Sequence, residues 1–245
     1  MRLDVYLTEK GLCKSRAAAQ SLIKSGGVSL NGRVCTKSSS EVSEGDSVEI
    51  VGERLKYVGR GGLKLEKALT AFGIDLRGKL CLDIGASTGG FTDCMLQNGA
   101  EKVFAVDVGK DQLDEKLLSD NRVVSLEQTD IRNFAFADFG IEGADFIGTD
   151  VSFISLKLIL PHIYRLLKSG GSAAVLIKPQ FEVGGMGKIA SLSKHGVVRD
   201  EKVRTAVVNE VTEFAKQCGF GIIGTEISPI TGGSGNVEYL LGLMK

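Results

Sequence analysis

Four aspartates and one lysine stand at or just past the ends of short apolar runs in this chain, which is where an open α/β sheet gathers its ligands. LCLD closes on Asp83, KVFAVD on Asp107, ADFIGTD on Asp150 and SAAVLIK on Lys178, while Asp130 falls just beyond RVVSLEQT. A carboxylate so placed accepts hydrogen bonds from ligand donors, and one about twenty residues past a glycine-rich turn accepts them from the cis diol of a ribose. Asp107 meets that description. The turn ahead of it runs from Gly85 through Ala86, Ser87, Thr88, Gly89 and Gly90 to Phe91. Its glycines let the backbone bend sharply and approach a ligand closely. A dinucleotide turn would read G-x-G-x-x-G, and Ser87 stands where its second glycine should fall, which disfavours a pyrophosphate. S-adenosylmethionine, which has no phosphate and carries an amino acid end, fits better. Asp130 reads two ways: as acceptor for an adenine amino group with Ile131 covering the ring, or as the cap of the next helix.

The elements that must position these residues follow from periodicity. After five strand–helix units come two closing strands, GIIGTEI and NVEYLLGLM, joined by SPITGGSG. That ending belongs to the methyltransferase version of the doubly wound sheet, so the expected fold is α/β and Rossmann-like, a seven-stranded mixed sheet with its last strand antiparallel. VSFISLKLILPHIYRLLKSGG reads as one helix closed by glycines, and EKVRTAVVNEVTEFAKQCG as an amphipathic helix ended by Gly219. QFEVGGMGKIASLSKHGVVRD reads as a long loop over the site, a substrate lid that would bring His195 to the substrate. GGLKLEKALTAFG is a helix whose stripe of Leu63, Leu65, Ala68, Leu69 and Phe72 leaves Lys64 off it, so Lys64 alone reads as a surface lysine. Glu238, by strand alternation, faces water.

Residues 1–58 form a separate small α+β module. Two short helices precede Asn31-Gly32, the strongest short-range hairpin signal, and SVEIV adds a strand. Lys10, Lys14, Arg16 and Lys24 gather on the helical half. The glycine-rich ERLKYVGRGG marks the boundary, with a linker at 59–62 and a second domain at 63–245.

The 30 lysines and arginines balance the 30 aspartates and glutamates, so a nucleic-acid surface must be local. Five scattered cysteines without a C-x-x-C pair argue against a disulfide framework and a zinc site. Charges inside MRLDVYLTEKG exclude the apolar core of a signal peptide, and no run is long enough to span a bilayer. The expectation is a cytoplasmic monomer with neither membrane nor metal as partner.

RLDVYL, SRAAAQSLIKSGGVSLNG and EGDSVEI resemble the RNA-binding domain named after ribosomal protein S-four. That resemblance implies RNA contacts among Arg2, Lys10, Lys14, Arg16, Lys24, Asn31, Arg33 and Arg60; for Asn31 the other reading is turn chemistry. Lys64, Asp150, Lys178 and Glu238 match in order the tetrad of ribose 2'-O-methyltransferases of the FtsJ type. With GRGGLKLEKAL, LDIGASTGGFTD, DVSFIS, KPQFE, HGVVRD and GNVEYL, the whole chain resembles the TlyA family of ribosomal RNA methyltransferases, often labelled hemolysin A. The resemblance implies S-adenosylmethionine as donor, ribosomal RNA or ribosomal subunits as partner, and a cytidine 2'-hydroxyl in 16S or 23S rRNA as acceptor.

A ribose hydroxyl is a poor nucleophile until its proton is accepted or its oxygen is aimed. Lys178 serves either as a neutral base or as a charged group that positions the oxygen, with Asp150 orienting it and Lys64 and Glu238 completing the network. Other chemistries lack their residues. Exocyclic-amine methylation calls for Asn or Asp followed by Pro-Pro and an aromatic, whereas Asp150 is followed by Val151, Ser152 and Phe153. No cysteine ends the fourth or fifth strand, and His162 and His195 suggest no serine triad. Two rivals are a membrane-active hemolysin, for which no export signal or membrane-competent helix is visible, and an RNA-binding protein with an inactive methyltransferase domain.

Overall fold

A computed structural model describes residues 1–13, 15–24, 26–50, 56–183 and 196–245. The chain divides into two compact units, residues 1–56 and 57–245.

In the first unit, Leu3–Glu9 (α1) and Arg16–Lys24 (α2) accompany an antiparallel sheet of Val28–Leu30 (β1), Arg33–Val34 (β2) and Val48–Ile50 (β3), ordered β2-β1-β3. Asn31 and Gly32 have φ of 53° and 74°, as a two-residue hairpin turn matched to strand twist requires. Leu3, Leu7, Ala19, Ile23, Val28 and Val42 make the core. The buried Asp4 carboxylate ties α1 to α2, accepting from Arg2 Nε at 3.0 Å, Arg16 Nε at 3.0 Å and Gln20 Nε2 at 2.8 Å.

The second unit opens with Gly61–Phe72 (α3), closed by Gly73 in the left-handed conformation. Its sheet comprises Leu80–Ile84 (β4), Lys102–Val106 (β5), Val123–Leu126 (β6), Ala144–Thr149 (β7), Leu167–Ile177 (β8), Gly221–Ile227 (β9) and Tyr239–Met244 (β10), in the order β6-β5-β4-β7-β8-β10-β9. The first five pair in parallel, and β10 runs antiparallel between β8 and β9. The expected seven-stranded sheet with an antiparallel last strand is what the chain forms. Gly90–Gln97 (α4), Glu115–Leu118 (α5), Leu160–Leu166 (α6) and Glu201–Gln217 (α8, following a short helix described below) complete the unit.

Period-two alternation sends Cys81 to one face of β4 and Leu82 and Ile84 to the other. On the first face Leu65, Ala68 and Leu69 of α3 and Cys94 and Met95 of α4 cover the sheet; on the second, Leu160, Ile163, Val207, Val211 and Ala215 do so. The chain passes from β4 outward to β6 and then crosses back to β7, so the switch point, where such sheets bind ligands, lies between β4 and β7.

Two expectations are corrected. The single helix expected from Val151 to Gly171 is a 3-10 turn at Leu156–Leu158, then α6, and from Leu167 onward strand β8. Leu167 turns extended because it is buried and pairs with Ala144 across a bulge, and Gly170, at φ 76°, donates to the Lys245 carbonyl rather than ending a helix. The loop expected from Gln180 begins instead as a one-turn helix, Pro179–Glu182 (α7), with proline in its first turn, where the missing N–H costs nothing. Within the expected lid, residues 184–195, which include His195, lie outside the described residues, as does Lys14.

Candidate active site

The carboxyl ends of β4 and β7 meet at a turn that only glycine makes easily. Gly85 has φ 81°, and a Cβ there would lie 3.0 Å from the Asp150 carbonyl oxygen. Ser87 also adopts a left-handed φ, 48°. Its N–H and that of Gly109 donate to the two oxygens of Asp107 at 2.8 and 2.7 Å, which fixes the carboxylate and leaves each oxygen a further lone pair. Asp107, Gly85, Ser87, Thr129, Asp130, Ile131 and residues 150–154 line a cavity of about 460 Å³, within the range of small-molecule sites.

Asp83 is fully buried behind this turn. Thr92 Oγ1 donates to its Oδ2 at 2.7 Å, while its Oδ1 has no protein partner. Burial pushes its carboxyl up to about 7, with the Thr92 hydroxyl and N–H opposing. Asp130 caps the 3-10 turn Ile131–Asn133 through the Arg132 N–H and is forked by the Arg132 guanidinium, which holds its carboxyl at about 2. Of its two readings, the cap is the one its hydrogen bonds serve.

The four tetrad residues converge from four separate segments. Lys64, in the first turns of α3, lies 2.7 Å from Glu238 Oε2 and 3.2 Å from Asp150 Oδ2. Lys178, the N-cap of α7, lies 2.6 Å from Asp150 Oδ1. Glu238, Lys64, Asp150 and Lys178 thus form an unbroken chain of alternating charge. Lys64 is only 7% exposed and Glu238 only 2%, which corrects the surface positions expected for both. Lys64 is drawn in by two carboxylates, since a buried ammonium is tolerated only when paired. Glu238 precedes β10 by one residue, so strand alternation does not apply to it. Lys178 is 8% exposed and borders a second chamber of about 220 Å³ with Arg60, Gly61, Thr88, Phe91, Asp150 and Ser152. The two chambers share Gly85, Ser87, Asp150 and Ser152.

Sequence reasoning passed over Ser152, whose Oγ accepts from Lys178 Nζ at 2.7 Å. Its only signal is its place two residues beyond Asp150. Phe153, 90% exposed and at φ 64°, meets the Phe181 ring in a tilted contact with centroids 5.0 Å apart. Cys81 is buried, and burial pushes its thiol far up, which makes it inert as a nucleophile. His162 is half-buried on α6. Among the described residues no cluster of three or more His, Cys, Asp or Glu could hold a metal ion, and no helix is long and apolar enough to cross a membrane.

In the first unit, Arg2, Lys10, Arg16, Lys24 and Arg33 are exposed, as is Arg60 at the start of α3 in the second. Arg2 and Arg16 are both held by Asp4, and Lys10 lies 5.9 Å from the centre of the Tyr6 ring. The Asn31 side chain is engaged by Asp46 and the Ser47 N–H, which is turn chemistry.

A doubly wound sheet with an antiparallel last strand, a nucleoside-sized chamber at its glycine turn and a lysine–carboxylate chain at the adjoining strand ends defines a Rossmann-like methyltransferase. The chain belongs to the FtsJ-like methyltransferase family, which it matches over residues 57–245, and residues 1–48 match the S4 domain family. It is 40% identical over 243 residues to the 16S/23S rRNA (cytidine-2'-O)-methyltransferase TlyA of Mycobacterium tuberculosis, covering 99% of this chain and 89% of that one. It is 45% identical over 240 residues to Hemolysin A of Brachyspira hyodysenteriae, covering 98% of each. A solved structure from Streptococcus thermophilus that carries a provisional hemolysin name is 44% identical, with a TM-score of 0.79, and the match spans 100% of this chain and 88% of that one.

Proposed function

We propose that the protein methylates the ribose 2'-hydroxyl of a cytidine in 16S or 23S rRNA, using S-adenosylmethionine, with residues 1–56 engaging the RNA. The observation that carries this reading is the alternating chain Glu238–Lys64–Asp150–Lys178, in which Asp150 borders both chambers and Lys178 the smaller one. The donor set fits the cofactor: Asp107 keeps lone pairs for a ribose diol, Ile131 offers an apolar wall to a base, and the orphaned Oδ1 of Asp83 suits an amino group reached across the turn. When bound, the cofactor supplies an electrophilic methyl group on a positively charged sulfur.

The protein's own part is aim and proton handling. Asp150 and Ser152 fix Lys178 Nζ from two directions, leaving it one further contact to make with the acceptor oxygen. A neutral Lys178 takes the hydroxyl proton; a charged Lys178 holds the oxygen and steadies its developing negative charge while water takes the proton. A logarithmic rate that climbs with pH and then levels distinguishes the first from the second. Lys64 and Glu238 keep Asp150 in place.

The test is transfer of labelled methyl from the cofactor to purified ribosomal subunits, followed by mapping of 2'-O-methyls. Lys178→Ala is expected to abolish transfer while cofactor affinity stays within about threefold, because the larger chamber does not include that side chain. Near-normal turnover by that variant would sink the assignment. Erythrocyte lysis by the same preparation, without methyl transfer, would favour the hemolysin reading.

A further inference from the structure

Glu182 is a buried carboxylate that the chemistry above does not use. It is 4% exposed, and among the described residues no lysine or arginine lies within ion-pair distance of it. Its partners are neutral: Ser155 Oγ donates to Oε2 at 2.6 Å and the Leu156 N–H donates to Oε1 at 2.7 Å. Burial raises this carboxyl above its ordinary value, with the Ser155 and Leu156 bonds opposing. A carboxylate buried on neutral hydrogen-bond partners, with only a weaker pull from Lys157 that Glu210 opposes, is a poor way to gain stability, so the interest lies in what it holds.

What it holds is the segment after β7. Helix α7 carries Lys178 at one end and Glu182 at the other, one turn apart. Lys178 reaches Ser152, and Glu182 reaches Ser155 and Leu156. The two anchors bracket Phe153, a bulky residue held at φ 64°. Such a conformation costs about 1–3 kcal/mol and persists only where the surroundings over-determine it. Phe153 and Ile154 between the anchors line the larger chamber, and Ser152 borders both chambers.

We propose that Glu182 is a positioning residue: by clamping Ser155 and Leu156 it holds the strained turn that delivers Ser152 Oγ to Lys178 Nζ and shapes the shared wall of the two chambers. The proposal rests on the methyltransferase reading for its kinetic consequence but not for its structural one. Glutamine preserves the clamp, since its carbonyl accepts from Leu156 and its amide donates to Ser155, whereas alanine removes it.

Glu182→Ala, Glu182→Gln and Ser155→Ala would be compared with the unaltered protein well below their melting temperatures. Expected for Glu182→Ala is a kcat on ribosomal subunits lowered by about tenfold or more with KM for the subunits within about twofold, and for Glu182→Gln a kcat within about threefold of normal. Ser155→Ala should fall between. A second readout needs no substrate: in protein labelled at lysine 13Cε, the Lys178 resonance, assigned with Lys178→Arg, should shift in Glu182→Ala and stay put in Glu182→Gln. An unmoved Lys178 signal in folded Glu182→Ala overturns the proposal, as does a glutamine variant as impaired as alanine. If the unaltered protein transfers no methyl to ribosomal RNA, the function proposed above fails, and the lysine signal still decides the role of Glu182.

Discussion

A lysine's surroundings, rather than its identity, decide what it does here. Lys64 lies off the apolar stripe of its own helix, and only the carboxylates of Asp150 and Glu238, 86 and 174 residues away along the chain, make its burial tolerable. Asp83 shows the same dependence in another form. Its carboxyl is raised to about 7 by burial, so between its ordinary value and that pH the folded state binds more protons than the unfolded one. Its contribution to stability is therefore largest in mild acid and falls as pH rises from about 4 to 7, by at most about 1.4 kcal/mol per pH unit. Asp83→Asn keeps an acceptor for Thr92 and removes the titration, so the stability of the variant, measured by urea unfolding at pH 5 and pH 7.5, should change less with pH than that of the unaltered protein. An equal pH dependence in both would show that Asp83 does not titrate there.

Elements meet where strand glycines make room. Gly148 in β7 faces α4: a Cβ on it would lie 2.6 Å from Met95 Cε and 2.9 Å from Phe91 Cδ2. Gly148→Val is expected to lower the unfolding free energy by about 1–3 kcal/mol through overpacking. Because Phe91 also borders the smaller chamber, as Lys178 does, the rate of methyl transfer should fall with it. A variant of normal stability would mean that α4 can withdraw at little cost. Helix and strand identities were largely legible from periodicity, including the Gly73 stop of α3 and the Asn31-Gly32 hairpin. The segment from Val151 to Gly171 was not legible, because its leucines suit a helix and a buried strand alike, and pairing of Leu167 with Ala144 decided between them.

Each of the two units has its own core, split over two sheet faces in the second, and each has its own charge device. In the first unit Asp4 is depressed well below its ordinary value by Arg2, then by Gln20 and Arg16. Its contribution is fully present above the ordinary carboxylate value and is lost as pH falls below that value towards the depressed one of the folded state, opposite in sign to that of Asp83. Asp4→Ala should therefore reduce amide hydrogen-exchange protection across α1 and α2 at pH 7 and leave that of α3 and β4 unchanged. Equal loss in all four would show that the two units unfold as one.

From sequence alone came the sheet, its antiparallel last strand, the glycine turn, Asp107 just past its strand and Asp150 and Lys178 at strand ends. These depend on periodicity and local turn chemistry, which neighbouring residues carry. The order of the tetrad came from resemblance. Only the folded chain decided that Lys64 and Glu238 are buried against each other, that Asp130 spends its carboxylate on Arg132, and that Ser152 and Glu182 bracket the strained turn at Phe153. Each of those turns on through-space distances and on which charge finds a partner out of water, quantities that no local stretch of sequence contains.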